Sequence, residues 1–125
     1  MNIAVIDDDE VYQMIIRKYI DRSQSFEEAE FFLRPLEALE YFRENRDNLP
    51  SLILLDINMP LMDGWQFLEA LEKEYEDLYE KTKVYVVSSS IAYSDRDKLE
   101  EFPGLSGFLS KPIGITQLQE LREAI

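Results

Sequence analysis

The sequence contains no cysteine and no histidine. Without cysteine there is no disulfide, no thiol nucleophile and no thiolate metal site, and nothing points to an oxidising compartment. Without histidine, every histidine-dependent catalytic triad and zinc centre is excluded. Positive charge is scarce: 13 Lys and Arg against 26 Asp and Glu leave a formal charge of -13. That balance opposes binding to nucleic acid or anionic lipid, both of which need clustered basic side chains. No apolar run approaches the roughly 20 residues of a membrane span, and the start, Met1-Asn2-Ile3-Ala4-Val5-Ile6, carries no basic leader. The expected location is the cytoplasm. Internal repeats, low-complexity tracts and linkers are also missing.

What is present suffices for one core. With 125 residues, 46% of them hydrophobic and 12% aromatic, the chain reads as one domain over 1–125, of a size that buries roughly two-thirds of its unfolded surface. The stretch that organises it is Leu52-Ile53-Leu54-Leu55-Asp56-Ile57-Asn58-Met59-Pro60-Leu61-Met62-Asp63-Gly64. An aliphatic run leading into a carboxylate predicts a strand buried on both faces, with Asp56 at its carboxyl end. Pro60 and Asp63-Gly64 then break the pattern, and Trp65 opens a helical period.

The same strand-then-carboxylate design opens the chain, where Ile3 to Ile6 runs into Asp7-Asp8-Asp9-Glu10. Helical spacing follows at Val11, Met14, Ile15 and Tyr19, with acidic residues on the first turn, where the helix dipole favours them. Glu28 to Phe32 predicts a more polar strand at a sheet edge, and Pro35 suits the first turn of a helix carrying Leu36, Leu39 and Phe42. After the central strand, Phe67, Leu68, Leu71 and Tyr75 mark one side of a third helix, with Glu69, Glu72, Lys73, Glu74, Glu76 and Asp77 as its solvated surroundings. Lys83 to Val87 is β-branched and predicts a fourth strand running into Ser88-Ser89-Ser90. A fourth helix is expected around Ser94 to Glu101 with Ser94 as N-cap, a short fifth strand at Gly107 to Ser110, and a last amphipathic helix with Ile115, Leu118, Leu121, Arg122 and Ile125. Strand and helix thus alternate five times, which predicts an α/β fold: a doubly wound, five-stranded parallel sheet covered by helices.

In a parallel sheet all carboxyl ends lie on one edge, so that edge collects Asp7, Asp8, Asp56, Ser88 and Lys111. Carboxylates gathered in one small cleft repel one another and hold protons unless a cation neutralises them. An all-oxygen donor set without His or Cys suits Mg²⁺ best, with Mn²⁺ or Ca²⁺ also accommodated.

These residues, together with Leu54 to Gly64, Val86-Val87-Ser88-Ser89 and Gly107-Phe108-Leu109-Ser110-Lys111-Pro112, resemble the receiver domains of two-component response regulators, the CheY-like proteins with a flavodoxin-like (βα)5 fold. The resemblance covers essentially the whole chain. It implies that Asp56 is the phosphoacceptor, that Asp7 and Asp8 hold Mg²⁺ with Asp56, and that Asn58 lends the metal its backbone carbonyl. It further implies that Ser88 bonds a phosphoryl oxygen on activation, that Lys111 pairs with the phosphoryl group or with the acceptor carboxylate, and that Phe108 is an aromatic switch. A cis Lys111-Pro112 peptide is expected on the same ground, and Asn58 and Ser90 match positions that tune the lifetime of the phosphoryl group. Ser88 stands where Thr is commoner, and Ser89 where Ala is frequent.

The resemblance implies a phosphorylation switch or phosphorelay shuttle. Lacking histidine, the chain must take its phosphoryl group in trans, from a histidine kinase, a histidine phosphotransfer protein or a small acyl phosphate. A downstream protein is expected on the face of the fourth helix, fifth strand and fifth helix, near Tyr93, Phe102, Phe108 and Ile115. One alternative is a degenerate receiver working only as a constitutive interaction module, against which the complete set Asp7, Asp8, Asp56, Ser88 and Lys111 argues. Another is a phosphatase with an Asp nucleophile, but the haloacid-dehalogenase-like enzymes carry that residue on the first strand and add a cap domain. The sequence leaves open whether these residues are cut from a longer regulator.

Overall fold

The structure, a computed structural model, describes residues 1–89 and 93–125, except for the side chains at 93 and 94. The expectation for Ser90, and those for the side chains of Tyr93 and Ser94, lie outside the described residues. Five strands form one parallel sheet: β1 (Asn2–Ile6), β2 (Glu28–Phe32), β3 (Leu52–Asp56), β4 (Lys83–Ser88) and β5 (Gly107–Ser110), in the order β2-β1-β3-β4-β5. The helices are α1 (Glu10–Ser23), α2 (Pro35–Glu44), α3 (Gly64–Glu74), α4 (Leu78–Lys81), α5 (Tyr93–Glu101) and α6 (Ile115–Glu123). This is the expected flavodoxin-like arrangement with one addition. The one-turn α4 lies where no element was expected, anchored by the buried Leu78.

Side chains alternate across the strands, so the sheet feeds two cores. Ala4, Ile6, Ile53, Leu55, Val84 and Val86 face one way, against Leu39 and Phe42 of α2 and Phe67, Leu68 and Leu71 of α3. Ile3, Val5, Leu52, Leu54 and Val87 face the other, against Ile16 and Ile20 of α1 and Leu118 and Leu121 of α6. Every residue of β3 is buried, and burying each of its aliphatic side chains, Leu52 to Leu55, contributes about 1.5–3 kcal/mol. β2 lies at an edge and is the more polar strand.

Two local expectations are corrected. The inward stripe of α1 is Gln13, Ile16, Ile20 and Ser23, whereas Val11, Met14 and Ile15 are 65%, 62% and 42% exposed. A polar residue faces inward there because the Gln13 amide donates to the carbonyls of Asp7 and Phe32, each at 3.0 Å, where β1 and β2 end. Glu72 and Glu74 are not freely solvated: Glu72 accepts from the Tyr79 hydroxyl at 2.5 Å, and Glu74 pairs with Arg43. Among the described residues, no helix is long and apolar enough to cross a membrane.

Candidate functional site

The order β2-β1-β3 makes the carboxyl ends of β1 and β3 the place where helices leave in opposite directions, which opens a crevice in a sheet of this kind. Asp7 follows β1 and Asp56 ends β3; both are nearly fully buried, while Asp8 is exposed at the rim. Each of the three offers a carboxylate oxygen, and these oxygens all lie within 4.8 Å of one another. Such a set of hard oxygen donors without nitrogen or sulfur fits a small divalent cation.

Lys111 enters from the end of β5. Its Nζ lies 2.6 Å from Asp7 Oδ2 and 3.8 Å from Asp56 Oδ1. Its backbone N–H donates to the Ser88 carbonyl at 2.9 Å, which fixes the end of β5 to the end of β4. The following peptide, Lys111-Pro112, is cis as expected. Ser88 is buried at the end of β4, and its Oγ accepts from Asn58 Nδ2 at 3.3 Å. Asn58 also turns its backbone N–H to Asp56 Oδ1 at 3.3 Å. The residues picked from the sequence, Asp7, Asp8, Asp56, Asn58, Ser88 and Lys111, therefore share one crevice. Phe108 lies outside that contact network, half-buried on β5 against the core under α2 and α3.

Electrostatics follow from the crowding. Burial, and then the neighbouring Asp7 charge, push the Asp56 carboxyl up to about 7, opposed by Lys111 and by the Asn58 N–H. Asp7 is also raised, first by its burial; the hydrogen bond from Lys111 and the N–H of Asp9 work against that rise. Asp56 is thus a carboxyl whose charged form is costly until positive charge joins it.

Sequence reasoning missed one residue of this region, Tyr12, and the contacts of another, Trp65. Tyr12 reaches the site from the first turn of α1, its ring 4.3 Å from Lys111 Nζ. Trp65 is buried, stacked on Phe102 with ring centroids 5.6 Å apart, and donates to Asp95 Oδ1 at 3.2 Å. Phe102 is therefore core, not part of an exposed partner face. Trp65 also adjoins Gly64, whose N–H donates to the Ile57 carbonyl at 3.1 Å, so its indole reports on the loop that leaves Asp56.

A metal titration follows from this geometry. Mg²⁺ is expected to change Trp65 emission saturably. Asp8→Ala should raise the apparent dissociation constant at least about tenfold, because one charged ligand is lost. The metal-free Asp8→Ala protein should melt no lower than wild type, since a carboxylate repelling Asp7 has been removed. A lower melting temperature would contradict the repulsion account.

Comparison with known proteins accords with the site. A family model described as response regulator receiver domain matches residues 3–123. The chain is 32% identical over 124 residues to a putative two-component response regulator, ARR13, of Arabidopsis thaliana, covering 97% of the chain and 20% of the relative. It is 26% identical over 122 residues to the peroxide stress-activated histidine kinase mak1 of Schizosaccharomyces pombe, covering 94% of the chain and 7% of the relative. The chain thus spans only a small part of these curated relatives. Among solved structures, a two-component response regulator from Cytophaga hutchinsonii superposes with a TM-score of 0.88 at 26% identity, covering 98% of this chain and 94% of that one.

Proposed function

The chain belongs to the response regulator receiver family, and from that premise we propose that it accepts a phosphoryl group on Asp56 from a phosphohistidine donor in the cytoplasm and so switches its contacts with a protein partner. The observation that carries the reading is the crevice itself: a buried acceptor carboxylate with Asp7, Asp8 and a lysine ammonium gathered around it. In the transfer, an Asp56 oxygen forms the new O–P bond as the N–P bond of the donor breaks, and the bonding pair leaves with the donor imidazole. Little covalent help is needed; what matters is alignment and neutralisation of charge on the moving group. Lys111 Nζ, placed between Asp7 and Asp56, shifts toward the oxygens that arrive, and the Ser88 hydroxyl bonds one of them. Mg²⁺ held by Asp7, Asp8, Asp56 and the Asn58 carbonyl would supply the remaining positive charge.

Readout follows from the backbone. Ser88 and Lys111 are joined through a single hydrogen bond at the ends of β4 and β5, so movement of Ser88 toward a phosphoryl oxygen biases both strands and Phe108 on β5. The α5-β5-α6 face is the surface we assign to the downstream protein. The donor is assigned to the opposite flank. All of the large exposed apolar side chains among the described residues, Val11, Met14, Ile15, Leu33, Leu36 and Leu61, lie on α1 or on segments close after β2 and β3, beside the crevice. Leu61 is fully exposed and held at φ 70°, a conformation a leucine adopts only at a cost.

Intact mass after incubation with acetyl phosphate tests the reading. Wild type is expected to gain one phosphoryl group in Mg²⁺ and none without it, and Asp56→Asn none in either. No adduct under conditions that trap the labile acyl phosphate would point to a degenerate interaction module. Sustained turnover of a phosphoester, lost in Asp56→Asn, would point to a phosphatase.

A further inference from the structure

We infer that Tyr12 is a positioning residue for the phosphoryl transfer: its ring holds the Lys111 ammonium in place between Asp7 and Asp56. The inference rests on the phosphoacceptor reading above and adds to it a residue on α1.

A closed circuit of contacts supports it. Asp7 Oδ1 accepts from the Asp9 N–H at 2.9 Å. Asp9 in turn caps α1, and its Oδ1 accepts from the N–H groups of Val11 at 2.9 Å and Tyr12 at 3.1 Å. This fixes the backbone of Tyr12 relative to Asp7. The Tyr12 ring then lies 4.3 Å from Lys111 Nζ, and Nζ returns to Asp7 Oδ2 at 2.6 Å. A lysine has a long, flexible stem and a point charge that many rotamers can place elsewhere. A ring face against the ammonium favours one placement by the attraction of the cation to the π system.

The hydroxyl of Tyr12 does not account for its presence. Its oxygen is buried without a hydrogen-bond partner among the described residues, an arrangement that costs free energy. Burial, and then the charges of Asp7 and Asp56, hold that hydroxyl firmly protonated, so it adds no charge to the crevice. What the site uses is the ring. A protonated phenol is a poor ligand for a hard dication, so Mg²⁺ affinity should not depend on Tyr12.

The test compares wild type, Tyr12→Leu and Tyr12→Phe. With acetyl phosphate at saturating Mg²⁺, Tyr12→Leu is expected to lower the maximal labelling rate of Asp56 roughly 3- to 30-fold, the range of a partly desolvated cation–π contact. Tyr12→Phe should restore the rate, and the Mg²⁺ dissociation constant from Trp65 emission should stay within about twofold in both variants. Independently of any phosphoryl chemistry, the Lys111 Cε protons should show an upfield ring-current shift in wild type and Tyr12→Phe that is absent in Tyr12→Leu. Labelling of Tyr12→Leu at the wild-type rate, equal losses in Tyr12→Leu and Tyr12→Phe, or an unshifted Lys111 resonance in wild type would each overturn the inference while leaving the phosphoacceptor reading standing. A wild type that takes no phosphoryl group overturns both.

Discussion

Replacing Gly64 with alanine is expected to destabilise the folded chain by about 2–3 kcal/mol, the usual cost of forcing atoms into a filled space, and to slow labelling at Asp56. The reason is proximity, not backbone freedom, for Gly64 does not have positive φ. A Cβ there would lie 2.7 Å from the Asp56 carbonyl oxygen and 2.8 Å from Ile57 Cα. Both are backbone atoms of the segment that carries the Asp56 carboxylate, so neither can yield without moving Asp56. Gly64 is also held from its other side. It starts α3 directly after Asp63, which forms a reciprocal capping pair with Gln66, and its own N–H donates to the Ile57 carbonyl at 3.1 Å. Gly114→Ala is the control: a Cβ there meets nothing within 4 Å, and its φ of -92° suits any residue. That change should cost less than about 1 kcal/mol, the difference between glycine and alanine at a helix N-cap. Urea unfolding of both variants, with labelling rates measured alongside, checks the contrast. Equal stabilities would show that the Asp56 loop relaxes more freely than its contacts imply.

The sheet and the crevice were legible in the sequence because a parallel fold ties both to one pattern. Ile3 to Ile6 and Leu52 to Leu55 are buried on both faces and so are apolar at every position, which marks them as central strands. Topology then brings Asp7, Asp56, Ser88 and Lys111 to one edge without any further information. The inward face of α1 was not legible, because Gln13 turns inward to meet strand-end carbonyls while Met14 and Ile15 turn out. A periodicity argument assigns those sides by hydrophobicity and reverses them when function places apolar groups at the surface. Tyr12 was hidden for a related reason: an aromatic residue among apolar neighbours on a helix reads as core. Its value to the site comes from Lys111, 99 positions away by their numbering. The Trp65–Asp95 hydrogen bond likewise joins residues 30 apart, and nothing local in either segment announces it. The one-turn α4 rests on the single buried Leu78, too little pattern for any period to register.

Metal-free protein is expected to lose stability as pH rises from about 4 to about 7, and Mg²⁺ is expected to reverse that trend. The Asp56 carboxyl is pushed up to about 7 in the folded chain from an ordinary 3.8, by burial first and Asp7 second. Between those values the folded state keeps a proton that the unfolded state has released. Stability conferred by the protonated form is therefore complete below the unfolded value and is lost as pH climbs through the folded one. Asp7, raised in the same direction, adds to the slope. A rise of this size on a buried carboxyl corresponds to a loss on the order of 2–4 kcal/mol across the window. Mg²⁺ bound at this cluster would require the deprotonated carboxylates, so in its presence protons would compete with the metal and stability should increase with pH over the same range. Asp56→Asn removes the buried charge while keeping a similar shape. Its metal-free form should show a much flatter pH dependence and, at pH 8, melt several degrees above wild type, roughly 5–10 °C by the usual relation between stability and melting temperature. Thermal melts of wild type and Asp56→Asn from pH 4.5 to 8.5, with chelator or with Mg²⁺, separate the contributions. A flat profile for metal-free wild type would mean that Lys111 alone neutralises the crevice. A falling profile that Mg²⁺ inverts would mean that the folded chain holds its acceptor carboxylate in a costly charged state and depends on bound cations, or on an arriving phosphoryl group with its metal, to relieve it.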